Sequence, residues 1–169
     1  MNRRLLSIAV AAVLAMGFAP NSGTAQQKLT KESLIGAWQH VSGINTRPDG
    51  TKFYLLGENA TGLLILESAG GFSWQIIRPD IPTFASNNRL NGTPEEYKAV
   101  AQSILSFFGT YTVDDAGKEV IMRIVSSSFP NINNAEQKRA MTLSGDELTL
   151  VNQAGSSGGT AETKWKRVK

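Results

Sequence analysis

From Gly36 onward, short stretches of alternating apolar and polar residues are divided by turn-forming residues, a spacing that predicts antiparallel strands joined by hairpins. Ala37 to Thr46 reads as the first strand. It is closed by Arg47-Pro48-Asp49-Gly50, where proline presets φ and glycine tolerates the left-handed region. Lys52 to Leu56 follows, then a turn at Glu58-Asn59-Ala60-Thr61-Gly62. Leu63 to Glu67 and Phe72 to Ile77 flank Ser68-Ala69-Gly70-Gly71, a tight hairpin signal. Thr110 to Val113, Glu119 to Ser127, Lys138 to Leu143, Glu147 to Asn152 and Thr163 to Val168 complete the set, with turns at Asp115-Ala116-Gly117-Lys118 and Ser144-Gly145-Asp146. Gln153 to Thr160 is glycine- and serine-rich and reads as a loop. The chain is therefore mainly β, with about eight to ten antiparallel strands in a sandwich or barrel.

One segment departs from that pattern. Thr93-Pro94-Glu95-Glu96 supplies an N-cap threonine, proline at the first helical position and glutamate at the third, the elements of a capping box. Tyr97, Val100, Ala101, Ile104, Leu105 and Phe108 then recur at helical spacing. This predicts one inserted helix, Pro94 to Phe108, with one buried face and Gly109 as its stop. Such a helix either packs outside the sheet or covers a barrel mouth.

The two ends of the strand region carry complementary chemistry. Leu34-Ile35-Gly36-Ala37-Trp38 puts an indole at the start of the first strand, and Trp165-Lys166-Arg167 puts a cation near the end of the last. Trp165 and Arg167 share a strand face and Lys166 points the other way. In a closed barrel the outer strands meet, so Trp38 and Arg167 are expected to form a latch, with the guanidinium across the indole.

Composition adds the compartment. Asn2-Arg3-Arg4, the apolar run Leu5 to Met16 broken only by Ser7, and Gly23-Thr24-Ala25 have the layout of a cleavable signal peptide over residues 1–25, leaving a single domain over 26–169. The apolar run falls short of the roughly 20 residues a spanning helix needs, so no integral membrane segment is expected after cleavage. The address is the periplasm or the exterior. The 17 Lys and Arg exceed the 14 Asp and Glu by three, and removing Arg3 and Arg4 leaves a net +1. That gives no electrostatic case for nucleic acid. Cysteine is absent, which rules out disulfides and thiolate metal sites.

Candidate chemistry is sparse. His40 is the only histidine, no acidic cluster surrounds it in sequence, and it reads as a bonded polar group near the barrel end. Gly-x-Ser-x-Gly does not occur, and Asp114-Asp115 and Glu95-Glu96 sit at a turn and a helix start, where free amides account for them. No catalytic residue, metal site or cofactor is expected. The polar residues inside strands stand out instead. Period two places Arg139 with Met141 and Leu143, and Arg123 with Ile121 and Val125. A buried guanidinium must be paired or must meet an anionic ligand; the alternative is a surface cation whose stem covers an apolar wall. Arg139 is the stronger anchor candidate and Arg123 the second. Trp74, Tyr111 and Tyr54 are expected to line the same cavity, each with an apolar body and a polar tip.

These pieces, with Thr61-Gly62-Leu63-Leu64-Ile65, Arg78-Pro79, Phe108-Gly109-Thr110-Tyr111-Thr112-Val113-Asp114, Ser128-Phe129-Pro130-Asn131, Glu136-Gln137-Lys138-Arg139 and Gly145-Asp146-Glu147-Leu148-Thr149-Leu150, occur in an order and spacing that resembles the bacterial and fungal lipocalin-like domain family, within the calycin group, from about Leu34 to Val168. The resemblance implies a lipocalin-like calycin barrel and, by analogy, binding of a small apolar molecule. It carries over no catalytic residue. The expectation is an exported protein that binds a small hydrophobic ligand inside the barrel, with Arg139 placed to meet a carboxylate where the ligand bears one. The alternatives are an isomerase or cyclase acting on an apolar substrate there, or a filled barrel with a structural or protein-binding role.

Overall fold

A computed structural model describes residues 28–169; the signal sequence expected over 1–25 lies outside the described residues. A four-residue helix, α1 (Lys31–Leu34), leads into β1 (Gly36–Thr46), followed by β2 (Lys52–Phe53), β3 (Thr61–Leu66) and β4 (Gly71–Ile77). Helix α2 (Pro94–Ser103) then runs directly into β5 (Ile104–Val113). Beyond it come β6 (Glu119–Ser127), a single 3-10 turn at Pro130–Ile132, β7 (Glu136–Ser144), β8 (Glu147–Asn152) and β9 (Thr160–Arg167).

All pairings are antiparallel, and neighbours in sequence are neighbours in the sheet except that β3 pairs with β1 beside the short β2. The nine-stranded order closes on itself because β1 also pairs with β9, from Trp38 opposite Arg167 to Thr46 opposite Thr160. The result is a closed eight-strand barrel with β2 as a short extra strand on β1. Closure removes the exposed sheet edges that an open sheet of this size would leave.

Inward positions follow period two. Leu64 and Leu66 of β3, Phe72, Trp74 and Ile76 of β4, Val120, Met122 and Ile124 of β6, and Leu148 and Leu150 of β8 are buried together with Trp38 and Trp165. Burial of this set at roughly 25 cal/mol per Å² of apolar surface is the main stabilising term for a chain without disulfides.

The helix starts where its sequence says. Thr93 accepts from the Glu96 amide at 3.2 Å, while Glu96 accepts from the Thr93 amide at 2.7 Å, a reciprocal capping box. Its end differs from the expectation. The helix stops at Ser103, and Ile104 to Phe108 form the first half of β5, paired with β4 from Ile77 opposite Ile104 to Ser73 opposite Phe108. Backbone pairing to β4 overrides helical spacing in a run of branched and aromatic residues. Of the helix, only Ser103 is buried; Tyr97 and Ala101 are exposed, so no buried apolar face forms. Gly109 is not a helix stop. It sits at an irregularity in the β5–β6 register, where a Cβ would collide with the Arg123 carbonyl.

Candidate ligand-binding site

The barrel has two unlike ends. At one, α1 closes the opening. Trp38 donates from Nε1 to the Leu34 carbonyl at 2.9 Å. Arg167 lies 4.0 Å above the Trp38 ring and donates to the carbonyls of Ile35 at 2.8 Å and Ser33 at 2.7 Å. One guanidinium thus covers the indole and satisfies carbonyls at the C-terminal end of α1. Gly36 permits this: its φ is +134°, and a Cβ there would sit 3.2 Å from Arg167 Nη1. Tyr111 belongs to this end as well, donating to the Glu67 carbonyl at 3.0 Å beneath Lys31.

At the other end lies a cavity of about 60 Å³, walled by residues of β1, β4, β5, β7, β8 and β9. Beyond it, toward α2, an outer cleft of about 400 Å³ shares Leu55, Leu56, Leu105 and Ser156 with the cavity wall. Those shared side chains form the neck between inside and outside.

The site is built on a bulge. The β1–β9 register slips between His40 and Ser42, so the inward positions of β1 change phase from Trp38 and His40 to Gly43 and Asn45, which line the cavity. His40 lies opposite Trp165, the rings edge to face at 5.2 Å; Trp165 meets Trp74 at 4.6 Å, and Trp74 stacks on Phe107 at 5.1 Å. The Arg139 guanidinium sits 4.7 Å from the Trp74 ring and 5.7 Å from Phe107.

Three residues of this wall carry a buried side-chain nitrogen with no hydrogen-bond partner: His40 Nε2, Trp74 Nε1 and Arg139 Nε. Their residues are 8%, 1% and 5% exposed. Each such group in low dielectric costs about 1–3 kcal/mol, more when charged. Arg139 donates only to Gln137 Oε1 at 2.7 Å, and burial pushes its pKa down to about 10, so it remains a cation at neutral pH. Glu162 borders the cavity from β9 but alternates with the buried Thr163 and Trp165, opposite Ile44 and Val151, so its side chain is on the outer face, and it makes no ion pair with Arg139. His40 Nδ1 lies 3.0 Å from the Ala60 carbonyl. A carbonyl only accepts, so Nδ1 carries the hydrogen and Nε2 is a bare acceptor in the neutral ring. Burial lowers the His40 pKa from its ordinary value, outweighing the backbone hydrogen bonds that raise it, and so favours that neutral ring.

The residues expected at the site separate accordingly. Trp74 and Arg139 line the cavity. Tyr111 faces inward but at the plugged end, because period two fixes a face and not a depth along the barrel. Tyr54 is 40% exposed in the turn after β2, and its neighbours Leu55 and Leu56 reach the cavity instead. Arg123 points outward, its side chain 77% exposed and paired with Glu136 at 3.0 Å. The buried face of β6 is Val120, Met122 and Ile124; Ile121 and Val125 lie on the other face with Arg123, which makes the strand's phase ambiguous in sequence. His40 belongs to the cavity wall, read in sequence only as a bonded polar group. The bulge that places Gly43 and Asn45 beside it has no sequence signal.

A relative from Aspergillus oryzae, named as a 4'-hydroxy-3'-methoxypropiophenone carrier protein, is 32% identical over 84 residues, covering 46% of this chain and 76% of the relative. Among solved structures, a redesigned beta barrel aligns with 86% of this chain and 100% of its own at 16% identity and a TM-score of 0.44. Residues 35–168, nearly all of the described chain, match the family described as the lipocalin-like domain. The chain belongs to that lipocalin-like family.

Proposed function

We propose that this protein is an exported carrier of a small, largely apolar ligand that enters the barrel at the end opposite α1 and sets an oxygen-bearing head against Arg139. The observation that carries the reading is the buried guanidinium without a carboxylate partner, lying against Trp74 and Phe107 in a cavity wall that also holds Ile76 and Leu105. An unpaired buried charge is costly, and an acceptor on a ligand offsets that cost. The carrier named among the relatives supports small-molecule carriage as the type of activity. The charged start and apolar stretch of the first 25 residues support export.

Calorimetric titration of the purified protein with a straight-chain acid, the matching alcohol and the matching hydrocarbon tests the reading. Micromolar binding of at least one oxygen-bearing probe is expected, and Arg139→Met should weaken it by roughly ten- to a hundredfold, the worth of a charge-assisted hydrogen bond. Equal loss for the oxygenated probe and the hydrocarbon would mean that Arg139 only supports the wall. No binding by any of the three would leave the filled barrel as the better description. Export is checked by the intact mass of the secreted chain, expected to begin near Gln26.

A further inference from the structure

A ligand whose head meets Arg139 has to place its apolar body somewhere, and the barrel interior offers little room for it. Toward α1 the core is filled: Trp38, Leu64, Met122, Leu148 and Trp165 are all 0% exposed. A single bound water takes up roughly 10–15 Å³ of open space. The inner cavity of about 60 Å³ therefore holds a head group and little more.

The larger space lies outside the neck. The outer cleft of about 400 Å³ falls within the range of ordinary small-molecule pockets, roughly 300–1,000 Å³. It shares Leu55, Leu56, Leu105 and Ser156 with the cavity wall, so one molecule can occupy both.

The lining suits an uncharged, apolar occupant. Leu55, Leu56, Ile104, Leu105 and Phe129 supply its apolar surface. Leu55 and Phe129 are each 37% exposed, area that an occupant would remove from water. The cationic side chain in the lining, Arg78, is already held by Asp80 through two hydrogen bonds of 2.9 and 2.7 Å, so its charge is matched.

Helix α2 gives the cleft a fixed side. Ala101 and Gln102, near its C-terminal end, border the cleft. Ser103 passes directly into Ile104 of β5, with no linker to act as a hinge. At the other end the Glu96 carboxylate accepts from the amides of Ala85 and Thr93, each at 2.7 Å. With only Ser103 buried, packing onto the sheet does not account for where the helix sits. Bordering a ligand does.

Resting on the carrier reading and locating its ligand, we infer that the outer cleft is the main binding compartment: the head alone passes the neck, and the body lies outside it against Phe129 and the Ala101 end of α2. The ligand class is an amphiphile with a compact head and an uncharged hydrocarbon body, bound head inward.

The chain has no cysteine, so Ala101→Cys, at an exposed position, creates a single attachment point for a thiol-linked fluorophore on the cleft wall. Two probes are titrated into the labelled protein: 1-decanol brominated at the terminal carbon, and 1-decanol brominated beside the hydroxymethyl group. Bromine quenches a fluorophore only near contact. The terminal bromine should quench the label strongly, and the bromine near the hydroxyl should leave it almost unchanged. Displacement of an apolar fluorescent dye from the unlabelled wild type establishes that each probe binds. The same displacement assay supplies an independent measure in Phe129→Ala. Each buried methylene should raise affinity about fourfold between 1-butanol and 1-decanol, and Phe129→Ala should weaken 1-decanol about tenfold while sparing 1-butanol. Equal or reversed quenching by the two bromines, or none by either while the dye is displaced, overturns the inference and leaves carriage standing. An equal loss for the short and long alcohols in Phe129→Ala does the same. If no alcohol binds the wild type, both readings fall together.

Discussion

Two arginine–tryptophan pairs, one at each end of the barrel, have nearly the same geometry and opposite accounts. Arg167 lies 4.0 Å from the Trp38 ring and Arg139 4.7 Å from the Trp74 ring. At the plugged end the Trp38 N–H has a carbonyl and Arg167 has two. At the cavity end the Trp74 N–H has none, and Arg139 has one amide oxygen with its Nε unmatched. Stacking is therefore common to both, and hydrogen-bond satisfaction separates them. A satisfied pair stabilises the fold; an unsatisfied one holds free energy that a ligand can release.

Truncating the plug should produce the largest effect. Trp38→Ala removes a fully buried indole that bonds α1 and supports Arg167, and is expected to cost about 3–5 kcal/mol in denaturant unfolding. A loss under about 1 kcal/mol would mean that this end is looser than its hydrogen bonds suggest.

The same substitution at both arginines then separates the two ends directly. Arg167→Met strands the Ser33 and Ile35 carbonyls and should lose about 1–2 kcal/mol, with a measurable coupling to Trp38 in a double-mutant cycle. Arg139→Met removes an unpaired buried charge, so unliganded stability should be unchanged or higher by up to about 2 kcal/mol. If Arg139→Met proves the more damaging of the two, the contrast between the ends is wrong.

Much of this contrast lay beyond the sequence, for reasons visible at particular residues. The strand count, the hairpin turns, the Thr93 capping box and the closure that brings Trp38 opposite Arg167 follow from local pattern and are present. The end of α2 was not legible, because Ile104 to Phe108 satisfy helical spacing and strand propensity equally, and only pairing with β4 decides. Arg123 and Arg139 look alike in sequence, each with apolar neighbours two residues away; which face of each strand is inward depends on packing against other strands. Tyr111 shows that depth along a barrel is not encoded in alternation at all. His40 gains its place from a bulge and from a contact with Ala60, 20 residues away.

The smallest expected effect is one of pH, and it tests the cavity end alone. Burial holds the folded His40 pKa below its ordinary 6.5, so the unfolded chain takes up a proton that the fold resists. Stability is then full above about pH 6.5 and declines as the pH falls below it toward the folded value. Asp49 and Asp114, held low chiefly by backbone hydrogen bonds, act in a separate window, beginning below 3.8. Comparing the wild type with His40→Gln between about pH 7 and 5 isolates the histidine. Identical slopes would show that folding does not lower the proton affinity of His40.

The contact between β1 and β9 has a consequence in time as well as in space. Arg167 reaches back to Ser33 across 134 residues, and the cavity wall includes Ala161, Glu162 and Thr163 of the same closing strand. Bringing such distant segments together carries the largest loop-closure entropy in the barrel, so the seam is expected to form late. Until it does, the chain is a curled open sheet with two raw edges and no interior. During synthesis the strand carrying Thr160–Arg167 emerges after all the others, so the nascent chain has nowhere to place a ligand until this strand is available. The seam and the cavity wall are thus completed together.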